Sequence, residues 1–223
     1  MAAKVHPNVA APTLGQPAAA AADDEAVSLT VWRKSLLFNC RGFTVFDARG
    51  NLVYRVDSYA SDSRAEVVLM DAAGRPVLTV RRRRLIGLGA DQWLVHPGEE
   101  TRAPPLYAVK RRAPAQYMRA GGGNAKSMAH VVPCSGAGAA AATKSGSGGA
   151  GGYEVEGSYL RRCCTVYDER RRAVAEVRPK EAVGSDVFRL VVQPGMEVSL
   201  AMAVVLALDQ MFAKPSLLRS WSS

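Results

Sequence analysis

Histidine, cysteine and aromatic side chains are scarce in this 223-residue chain, which has three His, four Cys and 15 aromatics (3 Trp, 7 Tyr, 5 Phe). His6 falls in a proline-broken N-terminal segment and His130 in a Gly/Ala-rich run. That leaves His96, just before Pro97-Gly98, where a surface turn histidine is expected. A catalytic triad would have to centre on that one residue. No His-x-x-x-His pattern, Ser elbow or Cys-His signature accompanies it, so no catalytic residue, metal ligand or cofactor is expected. Cys40, Cys134, Cys163 and Cys164 lack Cys-x-x-Cys spacing and are too few and irregular for a disulfide scaffold. Adjacent residues on a strand point to opposite faces, so one of Cys163 and Cys164 is expected in the core. Unpaired thiols suit a reducing interior, which makes the cytoplasm the expected location, with peripheral membrane attachment or the nucleus as further options. No apolar run approaches the roughly 20 residues needed to cross a bilayer.

Positive charge is plentiful. Lys+Arg number 29 against 20 Asp+Glu, a net +9. Residues 1–26 hold Lys4 against Asp23, Asp24 and Glu25, so the rest of the chain carries +11. That balance favours an anionic partner: a membrane surface, nucleic acid or an acidic protein face. With 48% hydrophobic residues the chain is too apolar to be wholly disordered, although 36 of those residues are Ala.

Residues 1–26 contain Pro7, Pro12 and Pro17 and no apolar periodicity, and read as a disordered tail. Residues 120–152 hold ten of the 20 Gly, mixed with Ala and Ser. A stretch so poor in large side chains buries too little surface to offset its ordering entropy and reads as a flexible insertion. Within it, Gly138 to Ser145 only grazes a phosphate-binding loop, since Thr143 stands where the second Gly is required. Residues 214–223 read as a short C-terminal tail.

The body contains a short repeat. Phe46-Asp47-Ala48-Arg49-Gly50 followed by Asn51–Val56 aligns with Met70-Asp71-Ala72-Ala73-Gly74 followed by Arg75–Val80. Tyr167-Asp168-Glu169-Arg170-Arg171 followed by Arg172–Val177 is a third copy. Asp at the first turn position bonds its own backbone, and Gly three residues later accepts positive φ, so each copy reads as a hairpin. Arg171 replaces Gly in the third copy, whose turn is therefore expected to differ slightly. On the returning strands Leu52/Tyr54/Val56, Leu78/Val80 and Ala175/Val177 share one face, while Arg55, Thr79 and Glu176 point the other way. Further strands are expected at 28–32, 43–46, 66–70, 92–95, 106–112, 153–156, 163–167 and 187–193, about eleven in all. Residues 197–212 read as a helix apolar nearly all round, which must cross a membrane or be buried on every side. Sixteen residues give roughly 24 Å, short of the ~30 Å hydrocarbon core but matched to strands of six or seven residues. A closed sheet of about a dozen strands needs a plug. The expectation is a mainly β protein, an antiparallel barrel threaded by its C-terminal helix.

Leu29 to Asn39 (LTVWRKSLLFN), Gly42 to Asp47 (GFTVFD), Val68 to Asp71 (VLMD), Glu156 to Tyr159 (EGSY), Cys164 to Asp168 (CTVYD) and Asp186 to Gly195 (DVFRLVVQPG) together resemble the plant LURP-one-related family. The likeness covers about 27–213, as one domain interrupted at 120–152, and the insertion is a departure from the family pattern. It implies a twelve-stranded barrel around a hydrophobic C-terminal helix, an architecture shared with the tubby C-terminal domain and phospholipid scramblases. It implies no established reaction. It does imply a non-enzymatic role in membrane tethering or plant defence, and fold alone does not fix function.

The candidate contacts are basic clusters: Arg81-Arg82-Arg83-Arg84, Lys110-Arg111-Arg112, Arg161-Arg162 and Arg170-Arg171-Arg172. Four consecutive Arg on a strand cannot all share one face, and solvated strand ends that discourage edge pairing are the plain reading. The functional reading is a cationic rim for anionic phospholipid headgroups or a protein partner. A scramblase-like lipid protein anchored by its helix, and a nuclear regulator that binds nucleic acid, are the alternatives. Few aromatic platforms accompany the Arg runs, which weakens the nucleic-acid reading.

Overall fold

The computed structural model describes residues 25–37, 41–58, 66–83, 92–99, 102–112, 127–134, 151–180 and 184–212. Twelve strands run in chain order: β1 (Val27–Trp32), β2 (Arg41–Phe46), β3 (Leu52–Ser58), β4 (Glu66–Asp71), β5 (Pro76–Arg83), β6 (Gln92–Pro97), β7 (Tyr107–Arg111), β8 (Ser127–Pro133), β9 (Tyr153–Ser158), β10 (Cys163–Tyr167), β11 (Ala173–Pro179) and β12 (Val187–Val192). One helix, α1 (Val198–Phe212), follows them. Each strand pairs antiparallel with its neighbours in sequence, and β12 closes onto β1, giving an up-and-down barrel.

Closure sets the size of the interior. Twelve strands about 4.8 Å apart and tilted by about 40° give a wall radius of roughly 12 Å. A helix with its side chains fills about half of that radius, and the strand side chains fill the rest. Every residue of α1 from Ser199 to Asp209 is buried. Inward strand residues such as Val31, Val45, Leu69, Val95, Val131, Val155 and Leu190 close over it. The helix begins where the Glu197 carbonyl accepts the Ala201 N–H at 3.0 Å, and Pro194 and Gly195 lie just ahead of it.

The three repeats form one kind of turn. Gly50 donates to the Asp47 carbonyl (3.1 Å), Gly74 to Asp71 (3.0 Å) and Arg171 to Asp168 (2.9 Å). Each Asp carboxylate accepts a backbone N–H four residues on, from Asn51, Arg75 and Arg172. The residue in the Gly position is left-handed in all three: φ is 86° at Gly50, 83° at Gly74 and 64° at Arg171. A bulge follows in each pairing. The third turn is therefore of the same kind and differs only slightly, with φ 64° at Arg171. Arg171 accepts the left-handed conformation, and its guanidinium reaches Glu154 and Glu156 at 3.1 and 3.0 Å.

Two expectations are corrected. Strand β8 lies within residues 120–152, where a flexible insertion was expected. Ser127–Pro133 is a strand because Ala129 and Val131 supply small inward side chains, both fully buried, that fit close to the helix. The Gly-rich residues on either side hid that short alternation. His96 is buried rather than superficial, because the segment after β6 folds back over β5 and β6. His96 Nδ1 lies 2.9 Å from the Ala103 carbonyl, and outward-pointing Thr79 donates to the Gly98 carbonyl at 2.6 Å. Leu78, Thr79 and Val80 are consequently all buried. Residues 1–24 of the first tail, the second tail, Arg84, and residues 120–126 and 135–150 of the insertion lie outside the described residues.

Candidate functional site: the basic rim of the barrel

In an up-and-down barrel, successive turns alternate between the two ends. The Asp-containing turns at 47–50, 71–74 and 168–171 all lie at one end, the lower rim, where α1 also begins. The upper rim receives the ends of β1, β3, β5, β7, β9 and β11 and the last turn of α1. Arg81, Arg82, Arg83, Lys110, Arg111, Arg112, Arg161 and Arg162 are therefore upper-rim residues. Arg170, Arg171 and Arg172 belong to a lower-rim turn, from which Arg171 reaches Glu154 and Glu156 on β9. Acidic residues occur at both rims, Asp47, Asp71, Glu99, Asp168, Glu169 and Glu197 at the lower and Asp57, Glu66, Glu156, Asp186 and Asp209 at the upper. Among the described residues the surplus of positive charge at the upper rim therefore comes from where the Lys and Arg lie. The net charge is thus polarised along the barrel axis.

Strand alternation divides the upper-rim cations again. Arg82 continues the inward side of Leu78 and Val80, pairs in register with Trp93, and lies 5.7 Å from that ring. Arg111 continues the side of Val109, and its guanidinium lies 5.0 Å over Phe212 in the last turn of α1. Arg162 is buried, with φ 53°. It is held between Tyr159 (4.3 Å) and Phe188 (4.5 Å), and its Nε donates to the Ser185 carbonyl at 2.9 Å. Its Nη1 is buried without a hydrogen-bond partner, so the two ring faces are its main compensation. Arg33, which sequence reasoning did not single out, pairs with Asp209 of α1 at 2.9 Å. Asp209 also accepts the Tyr159 hydroxyl at 3.1 Å. Burial first, and then the Asp209 carboxylate, push the Tyr159 phenol well above its ordinary value. The C-terminal end of a helix carries partial negative charge and unpaired carbonyls, so inward arginines around it are electrostatically matched. Arg33 and Arg111 thus reach the helical plug itself, Arg82 and Arg162 lie on aromatic rings of the wall, and Arg82 and Arg111 remain exposed.

The outward cations are different. Arg81 and Arg83 flank Arg82 on the outer side, and both are exposed. Arg81 makes a long pair with Glu66 at 3.8 Å. Arg83, Gln92 and Lys110 face one another across three adjacent strands, and the row continues to His130 and Glu154. Lys110 and Arg161 are exposed and Arg112 is half-buried. His130 Nδ1 lies 3.6 Å from the Glu154 carboxylate. Burial nevertheless lowers its imidazole below the ordinary value, and Arg112 and Lys110 push the same way. At the lower rim Arg172 is tied to Asp168 at 2.7 Å and Arg171 to the two glutamates, while Arg170 is exposed.

Of the paired cysteines, Cys164 is buried and Cys163 exposed, as alternation requires. Burial pushes the Cys164 thiol up to about 12, so it is no nucleophile near neutrality. Among the described residues, no three of His, Cys, Asp and Glu are grouped to hold a metal ion. No helix there is long and apolar enough to cross a membrane.

Comparison with known proteins agrees with this architecture. The LURP-one-related family profile matches residues 27–209. Protein LURP-one-related 8 of Arabidopsis thaliana is 45% identical over 195 residues, covering 84% of this chain and 88% of that protein. Protein LURP-one-related 17 of the same plant is 38% identical over 204 residues, covering 88% of each. An X-ray structure of an Arabidopsis thaliana protein superposes with a TM-score of 0.55 at 23% identity, over 83% of this chain and 91% of that one, a likeness of fold.

Proposed function

The chain belongs to the LURP-one-related family, and from that premise we propose that it is a non-enzymatic docking module whose upper rim binds anionic phospholipid headgroups. The observation that carries this reading is the surplus of positive charge at the upper rim. Exposed Arg81, Arg83, Lys110 and Arg161 stand at the end opposite the Asp-containing turns, where Arg49, Arg75 and Arg170–Arg172 offset the acids. The barrel would meet a negatively charged surface end-on. Each Lys or Arg near an anionic leaflet contributes on the order of 1 kcal/mol, so four or five such residues suffice for reversible attachment. The helix fills the barrel and is enclosed along its length, which argues against its use as a membrane anchor.

The test is co-sedimentation with vesicles of phosphatidylcholine containing phosphatidylserine or a phosphoinositide, at low and high salt. Binding should require the anionic lipid and weaken steeply with salt. Equal recovery on neutral vesicles, or no binding to either, would overturn the reading.

A further inference from the structure

The upper rim also carries exposed apolar side chains. Leu160 is 57% exposed, Leu36 56%, Trp32 43% and Leu37 39%, and all four are at this end of the barrel. Val27 and Val132, the other exposed large apolar residues described, lie singly toward the lower end.

The three leucines are held outward by the local structure. In the segment after β1, Ser35 turns inward and bonds the Asp57 carboxylate, and its hydroxyl accepts the Leu37 N–H at 3.0 Å. With Ser35 buried, its two apolar successors face solvent, an inversion of ordinary patterning. In the turn between β9 and β10, Arg162 donates to the Tyr159 carbonyl at 3.0 Å. Tyr159 and Arg162 are buried at the base, and Leu160 and Arg161 form the apex. Residues 185 and 186 tie these two loops together. The Arg33 N–H donates to the Asp186 carbonyl at 2.7 Å, and Arg162 Nε donates to the Ser185 carbonyl at 2.9 Å. Each leucine tip has an exposed cation beside it, Lys34 for the first loop and Arg161 for the second.

We infer that Leu36, Leu37 and Leu160 enter the acyl boundary of an anionic bilayer while the neighbouring cations hold its headgroups. This inference rests on the docking reading above and adds insertion to it. Apolar tips on turn apices project as separate points with charge at their bases. A bilayer interface accommodates that shape without a preformed pocket, and it offers negative charge at one depth and hydrocarbon a few ångströms deeper. An acidic protein face would match the cations and leave the leucines against polar surface.

The experiment uses the full chain and the triple variant Leu36→Ser/Leu37→Ser/Leu160→Ser, with matching circular dichroism as the check on folding. Two readouts are taken on lipid containing phosphatidylserine: vesicle co-sedimentation, and the surface-pressure rise of a lipid monolayer. The wild type is expected to sediment with vesicles, to retain a salt-resistant bound fraction, and to raise monolayer pressure. The triple variant should bind vesicles at least tenfold more weakly, lose the salt-resistant fraction and leave monolayer pressure unchanged. Salt-sensitive wild-type binding without a pressure rise overturns insertion and leaves electrostatic docking standing. Absence of any vesicle binding overturns docking, and insertion with it. A triple variant indistinguishable from wild type also overturns insertion.

Discussion

Replacing Asp209 by Ala should loosen a polar tie between the helical plug and the barrel wall. The carboxylate accepts the Tyr159 hydroxyl at 3.1 Å and pairs with Arg33 at 2.9 Å, and its side chain is 9% exposed. Truncation strands the hydroxyl of a phenol that is itself fully buried, which costs about 1–3 kcal/mol. Arg33 is 34% exposed and recovers water on losing its partner, so it adds less than a fully buried pair would. The sum is about 2–4 kcal/mol, or roughly 6–14 °C in Tm for a domain of this size. Asp209→Asn keeps an acceptor for both donors and should cost only about 1 kcal/mol. Urea unfolding followed by circular dichroism measures both. A double-mutant cycle with Tyr159→Phe then identifies the source: if the orphaned hydroxyl dominates, the double variant is more stable than Asp209→Ala alone. A neutral Asp209→Ala, or a double variant showing the full sum of the single losses, would refute the reasoning.

Removing three charges from each rim in turn tests whether location matters. Arg83→Ala/Lys110→Ala/Arg161→Ala and Arg49→Ala/Arg102→Ala/Arg170→Ala both lower the net charge by three. Only the first set should weaken binding to anionic vesicles, by about a hundredfold at roughly 1 kcal/mol per residue. Glycine replacements should separate backbone conformation from space. At Gly50 (φ 86°) a Cβ meets nothing within 4 Å, so Gly50→Ala should cost about 1 kcal/mol in unfolding experiments. At Gly157 (φ 103°) it would stand 2.3 Å from the Cys163 carbonyl oxygen, and Gly157→Ala should cost more than twice as much. His130 titrates below its ordinary 6.5 in the folded state. Its contribution is therefore present above that pH and is lost as pH falls through the folded value, and His130→Gln should flatten that part of the urea-midpoint profile. Cys163 should react with a maleimide in the native protein, whereas Cys164, with its thiol raised to about 12, should react only on unfolding.

The turns and the helix were legible because their signals are local. Asp with a left-handed residue three positions on specifies a hairpin wherever it occurs, and an apolar 15-residue segment must be enclosed. Strand β8 was not legible, because the small residues that let Ala129 and Val131 lie against the helix look like low complexity when the helix is out of view. His96 and Thr79 misled for a related reason, since what buries them is a later loop and not their own strand's alternation.

The sequence by itself determined the composition of the wall, the period of its strands, the repeated turn and the apolar plug, all consequences of neighbours a few residues apart. It also carried the clustered cations, as four basic runs of indistinguishable appearance, though not the rim cations Arg33 and Lys34. Only the tertiary structure decided what those runs do. Barrel parity sent Arg170, Arg171 and Arg172 to the opposite end from the rest. Pleat and helix position turned Arg82, Arg111 and Arg162 inward onto aromatic rings. Loop packing held Leu36, Leu37 and Leu160 outward beside the remaining charges. Which end a residue reaches, and which side of the wall it takes, depend on closure of a sheet between β1 and β12, some 160 residues apart in the chain. No local pattern encodes that distance.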